Sequence, residues 1–481
     1  MAPASSCILR GSTMHKLDRV FYPRSVAVVG SKQVDNHSWL RTVLPFQGPK
    51  YHVNIDRSEW ASAQALGFPS YPSLMDVPGD VDFVIVSVPA QVVPGIIKDC
   101  IAKGVVGVHL YTAGFSETGT EEGVRLEKEV AEMARAGRLQ VVGPNCVGVF
   151  NPDIGLGVNI GGYHGSHGEL AFISQSGSQA SGFTRAAAAL GIKASKVVSM
   201  GNGIVLDSPD YIEYLGQDVD TKVIGLYLEG VRDGRRFFNV LREVSPRKPV
   251  LVWKVGETED AARAVAVHST TKTTNPAIWD AMIRQCGAIK SESANDLLET
   301  AKLLLWMPPV TGNRVGVLAL SGGHSTEMSN IFSKAGLSVP RLTEASYKRI
   351  LQRFNVVGST YWNPIEGRTL SDPVTMNNVL DVLNEDANID VIVHELSLAE
   401  RAGKVTLYRG HGIDVLRDFR SRARKPYMAI LPNSFPPPPP ELFDNAYNQL
   451  IKAGIPTVIG AANAARALRQ VADYYRFRSS S

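Results

Sequence analysis

A repeated alternation of short apolar runs and longer amphipathic segments is the feature that most constrains the fold of this sequence. Each β-branched run ends at a Gly or Ser turn, and a segment with helical spacing follows it. This order is typical of parallel βαβ units, because a pair of parallel strands needs a crossover, which is usually a helix. The sequence therefore predicts an α/β fold with parallel sheets. Candidate strands include 25–29, 83–88, 107–111, 139–142, 170–174, 223–228, 249–254, 315–320, 391–395 and 427–431.

Two stretches interrupt this alternation and indicate domain boundaries. GGYHGSHG (161–168) and MPPVTGNR (307–314) each lie just before a predicted strand. They divide the 481 residues into three sheets of ordinary domain size. We predict domains at 15–150, 151–310 and 311–481.

Composition excludes several classes of protein. Hydrophobic residues make up 44% of the chain and charged residues 20%, which is ordinary for a globular protein and excludes disordered or collagenous chains. The net charge of +4 is spread without long blocks, so no nucleic-acid partner is expected. The four cysteines lie far apart with no CxxC pair, so neither a disulfide framework nor a metal site is expected. Without an apolar leader or a membrane-length apolar stretch, we expect a soluble cytoplasmic protein with no membrane partner.

Four motifs fall at the ends of predicted strands, where open α/β sheets bind their ligands. The first strand ends in VAVVGSK (26–32), which places Gly30 at a turn into a helix, a common phosphate site. The next glycine is Gly48, so GxGxxG is incomplete and a nicotinamide-dependent oxidoreductase has little support. IVSVPA (85–90), TAGFSETG (112–119) and VVGPNCVGVFN (141–151) follow at three later strand ends. Each motif alone is better explained as turn punctuation by its Pro and Gly residues, and it is the order of the motifs that carries information.

That order resembles a known family. PRSVAVVGS, SVPA, AGFSETG and GPNCVG together look like the CoA-binding domain of the nucleoside-diphosphate-forming acyl-CoA synthetases, the superfamily that includes succinyl-CoA synthetase. The resemblance continues through SQSGS (174–178), VSMGNG (198–203) and AGIPTVIGAANAARAL (453–468), and so covers nearly the whole chain. It implies an α subunit of the ADP-forming acetyl-CoA synthetase type, with a CoA-binding Rossmann-like domain followed by two flavodoxin-like domains.

The resemblance also implies ligand-binding residues. CoA is expected to lie across the first domain, with the Gly143-Pro144 turn and Asn145 near its thiol end. The expected CoA-binding residues are Gly30, Ser31, Lys32, Asn54, Ser87, Val88, Pro89, Ala113, Gly114, Phe115 and Asn145. Phosphate-binding residues are expected at two strand-to-helix turns, at Ser176 and Gly177 and at Gly322 and Gly323.

A phosphoryl relay is implied by the segment 262–289, which is similar to the family's phosphohistidine loop and the helix after it. A neutral imidazole is a good nucleophile, so His268 is expected to carry the phosphoryl group. Glu229, in YLEG at a strand end, matches the glutamate that orients this histidine. The sequence VHSTTKTT departs from the family's glycine-rich loop, and fewer glycines narrow the backbone's φ range.

The function implied is that of a carboxylate–CoA ligase, an acid–thiol ligase that forms ADP and works through an acyl phosphate. ATP or ADP and Mg²⁺ are expected in a separate ATP-grasp β subunit, giving a hetero-oligomer. The alternative is a noncatalytic CoA or acyl-CoA sensor or scaffold, which the glycine-poor loop favours. The acid remains open among acetate, branched-chain acids, aryl acids and dicarboxylates, and so do the nucleotide preference and the direction of the reaction.

Overall fold

The computed structural model describes most of the chain. The described residues are 15–157, 167–268, 275–352, 362–366, 373–396, 398–401, 404–407, 412–433 and 440–480. They divide into two compact units. The first holds described residues of 1–188, 193–241 and 254–279, and the second holds those of 189–192, 242–253 and 280–481.

The first sheet is fully parallel and has the strand order β3-β2-β1-β4-β5-β6. This order has its switch point between β1 and β4, where the crossovers turn to opposite sides and leave a crevice. A core of Val, Ile, Leu and Ala side chains packs β1, β4 and β5 against the helices. Its strands are β1 Val26–Val29, β2 Lys50–Val53, β3 Ser70–Tyr71, β4 Phe83–Val86, β5 Gly107–Leu110 and β6 Gln140–Val142. Its helices are α1 Asp18–Phe21, α2 Ser38–Thr42, α3 Trp60–Ala65, α4 Val93–Lys103 and α5 Glu121–Ala136.

The second sheet has the order β12-β11-β10-β8-β9-β7. The edge strand β7 is antiparallel to β9, whereas β8 is parallel to both β9 and β10. Without β7, the order in chain terms is 2-1-3-4-5, as in flavodoxin-like folds. The strands are β7 Gly148–Phe150, β8 Leu170–Ser174, β9 Ala194–Ser199, β10 Val223–Leu228, β11 Val250–Lys254 and β12 Ile289–Ser291. The helices are α6 Gly177–Ala189, α7 Ser208–Gln217, α8 Gly234–Val244, α9 Glu259–His268, α10 Pro276–Cys286 and α11 Ala294–Trp306.

The third sheet, with the order β14-β13-β15-β18-β19, repeats the flavodoxin-like arrangement. All its strand pairs are parallel, and β16 and β17 form a separate antiparallel pair. The strands are β13 Val315–Ala319, β14 Ile365–Glu366, β15 Val391–Glu395, β16 Leu398–Arg401, β17 Lys404–Leu407, β18 Tyr427–Leu431 and β19 Thr457–Ile459. The helices are α12 Gly322–Lys334, α13 Glu344–Leu351, α14 Pro373–Glu385, α15 Ile413–Arg422, α16 Pro440–Lys452 and α17 Ala461–Ser480.

The predicted α/β class with parallel-rich sheets is confirmed. The domain boundaries stay predictions, and β7 pairs into the second sheet although it precedes the predicted boundary at 150. Within the described ranges, no helix is both long and apolar enough to cross a membrane.

Candidate active site

A cavity of about 310 Å³ in the first unit brings together the carboxyl ends of strands from the first and second sheets. The first sheet supplies the loops after β5 and β6, and the second supplies those after β8, β9 and β10. The lining residues are Tyr111, Ala113, Asn145, Cys146, Val147, Gln175, Ser176, Gly177, Ser178, Gly201, Asn202 and Glu229.

Gly30 directly follows β1 at the switch point of the first sheet and packs on the loop after β4. Its φ is +89°, and a Cβ there would lie 2.3 Å from the carbonyl oxygen of Ser87 and 2.5 Å from Val88 Cγ1. Only glycine satisfies both the backbone angle and this approach. The structure thus brings together the predicted residues Gly30, Ser87 and Val88 in the crevice where such sheets bind ligands.

Hydrogen bonds to Ser31, the residue after Gly30, hold this turn in place. The Asn54 amide donates to the carbonyl oxygen of Ser31 at 3.1 Å, and His52 Nε2 also donates to that oxygen at 3.2 Å. Both Ser31 and Asn54 are buried, whereas Lys32 and Pro89 are exposed. Of the predicted CoA-binding residues here, Lys32 and Pro89 therefore offer side chains to a ligand, while Ser31 and Asn54 shape the loop.

The AGFSETG turn after β5 is closed by its own glutamate. Glu117 Oε1 accepts the backbone N–H groups of Gly114 at 2.6 Å and of Phe115 at 3.1 Å. The Phe115 carbonyl accepts from Thr118, and the Phe115 ring is fully buried in the core. The side chain of Phe115 therefore packs in the core and does not face a ligand, which departs from its predicted role in binding CoA. Ala113 is exposed and lines the cavity.

The loops after β6 and β9 interlock at the cavity. Asn145 has a φ of +58°, a left-handed conformation that asparagine tolerates better than most residues. Its backbone N–H bonds Thr112 O at 3.0 Å, which leaves its side chain on the cavity wall. Gly201 lies so close that a Cβ there would be 2.1 Å from Pro144 O, and Asn202 N donates to that same oxygen at 3.0 Å.

The N-terminus of α6 forms the second-sheet wall of the cavity. Ser174 Oγ accepts the N–H of Ser176 at 3.1 Å and donates to its carbonyl, which fixes the turn that starts the helix. The N–H groups of Gly177 and Ser178 have no acceptor among the described residues. Free amides and the helix dipole at the start of this 13-residue helix favour an anion here, and the phosphate site at Ser176 and Gly177 stays a prediction.

Glu229 lies beside this helix end, held mainly through its backbone. Its N–H bonds Gln175 Oε1, and its carbonyl accepts Lys254 Nζ at 2.8 Å. The Tyr227 hydroxyl donates to Glu229 Oε1 at 3.4 Å. Burial raises the pKa of Tyr227 to about 12, with the Glu229 charge adding to the shift, and burial lowers the pKa of Lys254. The backbone of Glu229 is thus held at the cavity wall, with the Tyr227 hydroxyl beside its carboxylate.

Comparison with known proteins agrees with this arrangement. Residues 24–152 match the CoA binding domain family, and residues 167–304 match the succinyl-CoA ligase like flavodoxin domain family. The α subunit of ADP-forming acetate–CoA ligase II from Pyrococcus furiosus is 32% identical over 446 residues, which cover 92% of this chain and 94% of that subunit.

The chain belongs to the family of nucleoside-diphosphate-forming acyl-CoA synthetases.

Two further matches bear on its organisation within that family. The ADP-forming acetate–CoA ligase I of Archaeoglobus fulgidus is 34% identical over 380 residues, which cover 78% of this chain but 54%, about half, of that protein. A solved structure, the dinucleotide forming acetyl-coenzyme A synthetase 1 of Ca. Korarchaeum cryptofilum in complex with phosphate and ADP, aligns with a TM-score of 0.84 at 28% identity. The alignment covers 96% of this chain and 97% of that chain. This family member therefore matches a separate α subunit along nearly its whole length.

His268, the residue expected to carry the phosphoryl group in this synthetase family, is the last residue of α9. Its backbone therefore ends a helix, where a loop was predicted. Its side chain and residues 269–274 lie outside the described residues, so the contact between His268 and Glu229 stays a prediction.

The other predicted phosphate site of this acyl-CoA synthetase chain, at Gly322 and Gly323, begins α12 in the third sheet. Two buried carboxylates lie beside it. A Cβ on Gly322 would be 3.7 Å from Glu366 Oε2, and Glu395 accepts Leu320 N at 2.9 Å and His324 Nδ1 at 2.7 Å. These charges already compensate the helix dipole and would repel a phosphate. The site stays a prediction, and this geometry weighs against it.

Sequence reasoning about the synthetase site missed Gln175 and Asn202. Both follow strands in motifs noted above, SQSGS and VSMGNG, so strand-end position was an available signal. Asn202 Nδ2 donates to Glu117 at 2.7 Å and to Glu127 at 2.9 Å, which links the AGFSETG turn to the second sheet. Cys146 also lines the cavity, but burial raises its pKa to about 12, so it is a protonated thiol rather than a nucleophile.

Proposed function

We propose that this chain is the α subunit of an ADP-forming carboxylate–CoA ligase, which converts a carboxylate, CoA and ATP to acyl-CoA, ADP and phosphate. One observation carries the proposal. The cavity joins the loops of the CoA-binding sheet, at Ala113 and Asn145, to the α6 N-terminus and Glu229 of the second sheet. A thiol delivered from one wall would therefore meet an acyl phosphate held on the other.

CoA would enter along the first sheet. Gly30, Ser87 and Val88 form the crevice at the switch point, and the exposed Lys32 supplies a positive charge for a phosphate of CoA. Ala113 and Asn145 would then lie beside the thiol. Ser31, Asn54 and Gly114 act by holding these loops, and Phe115 is left out of the contact set because its ring is buried.

The relay would use His268 and the α6 N-terminus. The His268 ring nitrogen attacks the γ-phosphorus of ATP, so that a P–N bond forms and the P–O bond to ADP breaks. The carboxylate of the acid then attacks the same phosphorus, which releases the imidazole and forms an acyl phosphate. Glu229 would accept the other ring N–H and so fix the tautomer. Ser176 and Gly177 would hold the phosphoryl oxygens.

ATP and Mg²⁺ would be bound by an ATP-grasp β subunit, so the working enzyme is a hetero-oligomer. The match to a separately named α subunit supports this division of labour. The relatives are named as ligases, which favours the ligase over the noncatalytic sensor or scaffold.

The test is steady-state turnover of the chain purified with its native partner. We expect ADP release from Mg-ATP that requires both CoA and a carboxylic acid, screened over acetate, a branched-chain acid, an aryl acid and a dicarboxylate. His268→Ala should abolish it. ADP release that does not depend on CoA or on any of the acids, or that persists in His268→Ala, would contradict the proposal.

A further inference from the structure

The side-chain amide of Gln175 is held in one orientation by the backbone beyond β10. Its Oε1 accepts two N–H groups, from Glu229 and, at 3.0 Å, from Gly230. Two donors on one atom identify that atom as the oxygen, because the amide nitrogen has no lone pair to accept them. The Nε2 group must therefore point the other way.

That Nε2 group makes no hydrogen bond to the described residues and is open to the cavity. Gln175 is only 8% exposed and lines the cavity, and no acceptor for Nε2 lies among the described residues. A donor that its neighbours orient and that opens only onto a cavity is satisfied there by water or by a ligand atom. A preoriented, unpartnered donor on a cavity wall indicates a ligand oxygen.

The position of Gln175 defines which oxygen this is. Gln175 lies two residues before Gly177, whose free N–H begins α6 and faces the phosphoryl side. No Lys or Arg occurs among the described lining residues, so oxygens in the cavity are bound by neutral donors. The helix amides suit the phosphoryl oxygens, and Gln175 Nε2, which precedes them on the same wall, is placed for the oxygen on the acyl carbon.

We propose that Gln175 is a substrate-binding residue whose Nε2–H donates to a carboxyl oxygen of the acid and to the same oxygen once it is the carbonyl of the acyl phosphate. This rests on the proposed ligase function. When the CoA sulfur bonds to the acyl carbon, the bond from that carbon to the phosphate oxygen breaks, and the thiol proton leaves with the phosphate. The carbonyl oxygen gains negative charge in between, and a preoriented donor stabilises it.

Gln175→Glu isolates this donor. A carboxylate at 175 still accepts the Glu229 and Gly230 amides, so the backbone clamp is preserved, and only the donor is replaced by an oxygen. Gln179→Glu is the matched control, because it makes the same change in the first turn of α6 outside the described lining.

The first test measures, by calorimetry, the binding of two probes to the full chain. One is acetonylphosphonate, a stable analogue of acetyl phosphate. The other is inorganic phosphate, which has no carbonyl. In Gln175→Glu we expect the affinity for acetonylphosphonate to fall at least about tenfold relative to that for phosphate. In Gln179→Glu that ratio should stay within about twofold. A ratio unchanged by Gln175→Glu would overturn the proposal, because added charge alone weakens both anions together.

The second test separates this inference from the ligase function. With the native partner, Gln175→Glu should still take an acid-labile phosphoryl group from Mg-ATP, but acyl-CoA formation should fall about 100-fold. If the wild type forms no acyl-CoA but its ratio of acetonylphosphonate affinity to phosphate affinity still depends on Gln175, the ligase function is contradicted. The role of Gln175 in binding the carbonyl oxygen then still stands. An active wild type with full turnover in Gln175→Glu would overturn the role of Gln175 alone.

Discussion

At the scale of single residues, the site is built by backbone bonds that hold functional side chains in place. Glu229 is 2% exposed, and both its N–H and its carbonyl are bound, by Gln175 and Lys254. Two carbonyl acceptors, those of Glu229 and Val255, offset part of the cost of burying Lys254. The backbone of Glu229 is thereby fixed at the cavity wall before any substrate arrives, and a fixed backbone is one part of the preorganisation that catalysis requires.

Glu229→Gln tests the charge of this residue without changing its shape. The amide oxygen can still accept from Tyr227, but it cannot stabilise an imidazolium or select one tautomer of His268 as a carboxylate does. We expect turnover by the complex to fall about 100-fold or more. The control is Glu243→Gln on the exposed side of α8, which should keep wild-type turnover. Activity in Glu229→Gln within about threefold of wild type would remove Glu229 from the relay.

At the scale of elements, the ends of parallel strands build the cavity, and the sequence predicts those strands well. All ten predicted strands occur, and 170–174, 223–228, 391–395 and 427–431 have the predicted bounds. Continuous apolar runs made them visible, because both of their faces are covered.

Strands and contacts that depend on tertiary partners were not predictable in this way. β9 was missed because its sequence ASKVVS contains Lys196, whose buried charge is paired with Asp218 at 2.8 Å. The sequence likewise placed Phe115 on the ligand surface, since its burial depends on how the AGFSETG turn folds onto the core. Spacing along the chain carries no information on such partners.

The turn after β1 gives a prediction at this scale. Gly30→Ala should weaken CoA binding at least about tenfold, because the new Cβ would collide with Ser87 O and displace the crevice. Gly79→Ala is the control, since Gly79 also has a positive φ, +72°, but has open space around it. Calorimetric titration of the full chain with CoA measures both. Equal affinities in the two variants would show that CoA does not use the switch point.

At the scale of the whole molecule, buried polar groups make the fold sensitive to acid. His109 lies in β5, with Nε2 donating to Cys146 O at 3.0 Å. Burial lowers the pKa of His109 from its ordinary 6.5 to about 4. Between these two values the unfolded chain binds a proton that the folded chain rejects, so stability falls as the pH falls from about 6.5 to about 4.

The expected loss from His109 over that window is about 3 kcal/mol. His109→Gln keeps a donor for Cys146 O but cannot titrate, so its stability should fall less steeply between pH 6.5 and 4. Urea unfolding followed by tryptophan fluorescence measures this, since Trp39 packs on the His109 ring. His167→Gln, at an exposed site, should keep the wild-type slope. The same slope in His109→Gln would contradict the assignment.

The central claim is that this chain passes a phosphoryl group from ATP to a carboxylate within the cavity that also receives CoA. The most direct measurement is the intact mass of the chain, purified with its native partner and treated with Mg-ATP, beside His268→Ala. We predict one acid-labile phosphoryl group on the wild type that is absent from His268→Ala and disappears when acid and CoA are added. A wild-type chain that takes no phosphoryl group, with the partner present and CoA bound, would contradict the account.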